Sequence, residues 1–256
     1  MDALYADDLI DLGLPDGPQT DAHTAPGAAV EDAPPVAAAP EHDAAEIAAR
    51  LLAYHEHRAT VFDWMHPSRL AAFPYADCLP GLAAAQRSAL SELFLNDHGM
   101  PPAPLAEFTA SGTQLSALSI PACLSMFRLR ALLEHGAEIH DWLDKPRRTL
   151  LGQWVGQNGA RMLLARRRGL AQERQPRYWA EALHEQSPEV LAWCGLRLFE
   201  RDCGWSSASP LALIQLALPE QIRPEALPRG PGHAMESNGS LTLLLQLPQL
   251  FPERSW

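Results

Sequence analysis

Residues 120–133 leave this chain few choices. Ile120, Cys123, Leu124, Phe127 and Ala131 recur at helical spacing on one face, while Met126, Leu129 and Leu133 cover an adjacent one. A helix apolar around most of its circumference must be covered on most sides, and in a chain this long the cover is other helices. The start is marked by Ser119, a residue type that caps helices, and by Pro121 in the first turn, where a missing N–H costs nothing. Gly136 is the expected stop.

The flanking sequence repeats the pattern. Asp43 with Glu46 reads as a cap and its third-position acid, followed by Ala44, Ile47, Ala48, Leu51 and His55 on one face, so a helix is predicted to about Arg58. Phe62 and Trp64 should be buried before a corner at His66-Pro67, with Leu70 and Phe73 buried after it. A helix over about 82–96 carries Leu90, Leu93 and Phe94 and closes at Gly99. Only short turns are expected from Pro101 to Thr113. Ile139–Leu143 reads as a brief apolar turn. Asp144 can cap a helix with Leu150, Leu151, Trp154 and Val155 on one face, Gly156 and Gly159 bracket a connection, and Met162–Leu164 continue as helix. Ser187-Pro188 and Ser209-Pro210 start two more, the first stopped by Gly204.

Near the C-terminus Asn238-Gly239 is a hairpin-type turn, and Leu241, Leu243, Leu245 and Leu247 alternate as a strand would. Leu244 breaks the alternation, so a short β-hairpin and a short helix both stay open. The expectation is an all-α protein, an irregular bundle of about seven to nine helices, with the helical domain at 43–228 and a Gly/Pro-rich loop and terminal segment at 229–256.

Charge is unevenly placed. Residues 1–43 carry ten acids and no Lys or Arg, so most of the net charge of −11 belongs to that stretch. Rich in Asp, Ala, Pro and Gly, residues 1–42 are expected to be a disordered acidic tail. Leu4, Tyr5, Leu9, Ile10, Leu12 and Leu14 interleave with acids at its start, which suits a short amphipathic turn or a solvating tail. Cys78, Cys123, Cys194 and Cys203 form no C-x-x-C pair and read as reduced and structural, fitting a reducing cytoplasm. No apolar run is long enough to span a bilayer, and the acidic start does not resemble a secretory signal.

Against this background, Lys145, Arg147, Arg148, Arg161, Arg166, Arg167, Arg168, Arg174 and Arg177 face a single acid, Glu173, over 33 residues. That density should create a local positive field. Three readings fit: solvated helix ends favoured by the helix dipole, a docking surface for an acidic protein, or a site for phosphate, nucleic acid or the chain's own acidic tail. Gly156-Gln157-Asn158-Gly159 matches the bare G-x-x-G loop of KH RNA-binding domains, and two glycines ending and starting helices explain it equally. His55 and His57 point roughly 200° apart on a helix and cannot close on one ion. Glu181 and Glu185 read as a solvated face. Phosphate-loop, nucleophile-elbow, zinc-protease and dinucleotide signatures are absent from the sequence, so no enzyme, metal, cofactor or small-molecule substrate is expected.

The lead-in Phe62-Asp63-Trp64 to His66-Pro67-Ser68-Arg69-Leu70, followed by Phe127-Arg128-Leu129-Arg130, Trp142 and Leu150-Leu151-Gly152, resembles the SctK family (YscK, PscK and plant-pathogen Hrp relatives) of bacterial type III secretion. The likeness covers about residues 60–200. It implies a non-enzymatic cytoplasmic adaptor of the sorting platform, peripheral to the inner membrane, linking the cytoplasmic domain of the inner-membrane ring protein (SctD-like) to the SctQ-like pod protein. No binding residue follows from the resemblance. The candidate partner-binding residues Lys145, Arg147, Arg148, Arg161, Arg166, Arg167 and Arg168 rest on charge alone. The alternative is a nucleic-acid-binding helical module using the basic stretch 145–177.

Overall fold

A computed structural model describes residues 41–165, 182–222 and 239–253, and within them every regular element is helical. Helix α1 (Glu41–Ala59) begins two residues ahead of the predicted Asp43 cap, so Asp43 lies inside the helix. Its covered face also differs from the expected one. Ile47, Arg50, Leu51, Tyr54 and Arg58 turn inward, whereas Ala44, Ala48 and His55 are exposed.

After it come α2 (Val61–Trp64) and α3 (Pro67–Ala72), which form the predicted corner. His66 holds that corner through two groups. Its ring Nδ1 accepts from the Ser68 amide at 3.2 Å, capping α3, and its own amide donates to the Leu216 carbonyl at 2.9 Å. The His-Pro-Ser motif is therefore a helix start tied to a distant segment, with Pro67 at a position that needs no donor.

Helix α4 (Ala84–Asp97) follows a 3-10 turn at Ala76–Gly81 and closes at Gly99, whose φ of 68° is in the left-handed region. Of the apolar residues named for this helix, Phe94 is buried and Leu93 is exposed, while Leu95 is fully buried. Two 3-10 turns, Leu105–Thr109 and Thr113–Ala117, lead into α5 (Ile120–Leu133). Tyr54, Phe62, Phe94 and Phe108 form one core with Val61, Met65, Leu79 and Leu95.

Helix α5 is buried on most of its circumference, as its composition requires. Two local expectations fail there. The Ser119 side chain makes no capping bond, and α5 ends at Leu133, so that Gly136 opens α6 (Gly136–His140) instead of stopping α5. Helix α7 (Lys145–Ala165) packs on α5, as does α8 (Pro188–Cys203). Helix α8 has the predicted ends: the Ser187 hydroxyl accepts from the Val190 amide at 3.3 Å, and Gly204 is left-handed with φ 68°. Phe127, Phe199, Trp193, Trp154 and Trp142 dominate this second core.

The segment after α8 starts at Ser209-Pro210 as predicted but winds as a 3-10 helix, Pro210–Ala217. Its Leu211, Ile214, Ala217 and Leu218 belong to the α5 core, and Leu213 and Leu216 belong to the other. It therefore locks the two cores together within the compact unit Ala39–Trp256.

The C-terminal segment settles as helix, α9 (Gly239–Leu245) and α10 (Leu247–Leu250), which removes the hairpin alternative. The reason is burial: Leu243, Leu247 and Leu250, spaced by four and three, go into the α5 core, and Ser240 is buried beside Arg130. A strand would have buried Leu241 and Leu245 with Leu243, yet these two are exposed.

Gly156 breaks α7 at φ 73°, ψ 169°, a region essentially reserved for glycine. The chain does not become a loop, because Gly159, Ala160 and Leu163 resume the buried face against α5. Just before the break, Arg128 of α5 donates to the Trp154 carbonyl at 3.3 Å, and it also donates to the Pro188 carbonyl of α8 at 3.1 Å. A Cβ at Gly156 would meet no atom within 4 Å, so a substitution acts through the backbone alone. Gly156→Ala should lower unfolding stability by about 2 kcal/mol in urea titration. A change near zero would mean that the kink relaxes into straight helix.

Candidate functional site

The first half of α7 presents two unlike faces. Leu151, Trp154 and Val155 are buried on α5. The opposite face carries Lys145, Arg148, Thr149, Gly152, Gln153 and Gln157 and, with Leu143 from the preceding turn, lines a groove of about 480 Å³. Its lining holds two cations and no acid. Leu143 is 75% exposed, so a large aliphatic side chain stands in solvent at the groove's edge.

Local chemistry explains why Leu143 is out. Trp142 fills the core and leaves its neighbour facing away. Asp144 then caps α7 as predicted, its Oδ1 accepting from the Arg147 amide at 2.9 Å. The same carboxylate takes the Arg147 guanidinium, with Nε 3.6 Å from Oδ2, on a pair about two-fifths exposed. Arg147 is thereby turned aside from the groove. Arg148 anchors through Nε on the Trp142 carbonyl at 3.2 Å, which fixes its stem along the groove wall.

Of the seven candidate cations, the four among the described residues do not form one surface. Lys145 and Arg148 share the groove, while Arg147 pairs with Asp144. Arg161 lies beyond the kink, donating to Asn158 Oδ1 at 2.7 Å and to the Gln157 carbonyl at 3.4 Å. Arg166, Arg167 and Arg168, like Arg174 and Arg177, lie outside the described residues. Thr149 and Gln153 carry no sequence motif, and Leu143 and Gln157 enter the sequence reading only through the apolar turn and the G-x-x-G match. The spacing 145, 148, 149, 152, 153 does mark one small, polar helix face opposite the tryptophan face, and that signal was available.

The G-x-x-G residues sit on the kink. Gln157 lines the groove, Asn158 donates to the Leu250 carbonyl at 3.1 Å, and Gly159 packs against Val155 and Leu129. No strand accompanies them among the described residues. His55 is exposed and His57 half-buried. Glu181 lies outside the described residues, as does the acidic tail to residue 40.

Elsewhere the polar groups hold the body together. Arg130 and Asp202, nearly buried, pair at 2.8 Å, and Ser240 donates to the same carboxylate oxygen at 2.6 Å. Glu134 also pairs with Arg130, and Arg201 meets the other Asp202 oxygen at 2.8 Å. Burial alone pushes the Asp202 carboxyl up. The Arg130 charge, with Ser240 and Arg201, outweighs it and leaves Asp202 below its ordinary value. Burial pushes the Cys203 thiol up to about 12, with Asp202 adding to the effect, so it stays protonated. The four cysteines form no disulfide with one another. No helix among the described residues is long and apolar enough to cross a membrane.

Helices packed round α5, stapled by buried ion pairs and bearing a shallow cationic groove, define an all-α bundle protein. A family model described as bacterial type III secretion protein (HrpB4) matches residues 40–253. The chain belongs to that family, in keeping with its resemblance to the Hrp-type SctK proteins. No match was found among curated proteins or solved structures.

Proposed function

We propose that this chain is a non-catalytic adaptor of the type III secretion sorting platform, joining the cytoplasmic domain of the inner-membrane ring protein to the SctQ-like pod protein. The observation that carries the reading is the extent of the family match: it covers the whole helical body, so the type III secretion assignment belongs to the body and not to an appended module. The fold is suited to the task. Two cores locked by residues 210–217 make a stiff body, and a stiff linker keeps two partners at a fixed separation without losing affinity to internal motion. Attachment through partners would hold the protein at the cytoplasmic side of the inner membrane. The nucleic-acid alternative gains nothing from the described residues, where Arg147 and Arg161 are turned onto neighbours in place of forming a row.

The test is binding of the full chain to the two partner proteins by calorimetry. Complex formation with both is expected. Charge reversal of Arg166, Arg167 and Arg168 together should weaken one complex at least about tenfold at low salt, with the difference shrinking as salt rises. Unchanged affinity would remove these arginines from the interface. Failure to bind either protein would overturn the adaptor reading.

A further inference from the structure

We propose that the groove on the first half of α7 is a docking site for an acidic segment of a partner protein that carries an apolar anchor residue. The inference rests on the adaptor reading for its biological setting but stands on its own geometry. Lys145 and Arg148 supply two positive charges in a concavity with no acid in its lining. The first turn of α7 adds the positive end of the helix dipole beside them. Thr149, Gln153 and Gln157 offer a hydroxyl and two amides for backbone or carboxylate groups. Leu143, 75% exposed at the edge, gains only by being covered with another apolar side chain.

This combination discriminates between polyanions. A nucleic-acid backbone repeats phosphates along its length and is met by rows of cations. Among the described residues the row is interrupted: Arg147 pairs with Asp144, Arg161 is directed to Asn158 beyond the kink, and the lining beside Lys145 and Arg148 is hydroxyl, amide, glycine and leucine. A short segment with carboxylates around a leucine or similar residue satisfies the cations, the amides and Leu143 together. The Gly156 break helps to set the groove's shape. Gln157, just after it, folds back to within 3.0 Å of where a Cβ on Gly152 would stand, so its amide lies over the groove floor.

The probe is a short fluorescein-labelled peptide in which glutamates flank a pair of leucines, titrated with the full chain by fluorescence anisotropy at low salt. Saturable binding is expected. Lys145→Glu with Arg148→Glu should weaken it at least about tenfold, Leu143→Ser about threefold, and glutamine in place of the peptide's glutamates should abolish it. All three substituted residues are exposed or at the surface, so melting curves of the variants should overlay that of the parent. No binding, or binding unaffected by these changes, would overturn the proposal even if the ring and pod proteins bind. A single-stranded oligonucleotide that displaces the peptide more tightly than unlabelled peptide would overturn it in favour of a phosphate site. If the peptide result holds and neither partner protein binds, the adaptor reading alone fails.

Discussion

Gly195→Ala is expected to destabilise the protein by about 3 kcal/mol, despite being the substitution that helix propensity favours. Gly195 lies in the middle of α8, and a Cβ there would stand 1.7 Å from the Phe127 carbonyl oxygen of α5 and 2.3 Å from its carbon. Both atoms are backbone, so no side chain can swing away. The two helices must separate, and with them Phe127, Trp193 and Phe199, all fully buried in the contact. Propensity alone would stabilise the variant by roughly 1 kcal/mol. The sign of the measured change therefore decides which effect governs. A urea midpoint that falls sharply, with the slope of the transition preserved, fits the close approach. A midpoint that rises would mean that the α5–α8 contact is looser than 1.7 Å implies. Gly204→Ala is the control, because that glycine has open space around it and only its φ of 68° to lose, at roughly 1 kcal/mol.

What was legible in the sequence follows from range. The ends of α8 were readable because Ser187-Pro188 and Gly204 act on atoms within four residues. The all-α class was readable because the apolar positions of α5 need cover on most sides. Residues 241–247 could not be decided by pattern, since leucine at nearly every position satisfies both periods. Burial of Leu243, Leu247 and Leu250 against α5 chose the helix. The buried charges were invisible for a different reason. Arg58 finds Glu92, with Nη2 2.5 Å from Oε2, across 34 residues, and Arg130 finds Asp202 across 72. Nothing local marks either arginine as interior. At the candidate site the excess of positive charge was plain. Which cations stay available was not, because a capping aspartate at 144 also engages Arg147. Nor could the sequence show that Leu143 turns outward, since that follows from Trp142 taking the place in the core.

Asp202→Ala is expected to lower stability by about 3 kcal/mol and to loosen the C-terminal segment first. Removing the carboxylate leaves Arg130 buried with Glu134 as its remaining charge partner, and leaves Ser240 without the acceptor it meets at 2.6 Å. Because Ser240 lies in the first turn of α9, the polar cluster is the fastening of that helix on α5 and α8. Faster hydrogen exchange over 239–250 than over α5 is the expected signature, and uniform exchange would place the loss elsewhere. Acid should reproduce the substitution. Asp202 is held below its ordinary value of 3.8, so its contribution is complete above that value and is lost as pH falls through the lower, folded one. The parent protein should therefore lose stability faster than Asp202→Ala below about pH 4, and the gap between them should close. If the gap persists in strong acid, the variant's defect is packing and not charge. Pairing Arg130→Met with Asp202→Leu removes both charges at similar volume, and is expected to recover most of the loss. Such recovery would mean that the ion pair fixes where α9 sits more than it adds to the stability of the bundle.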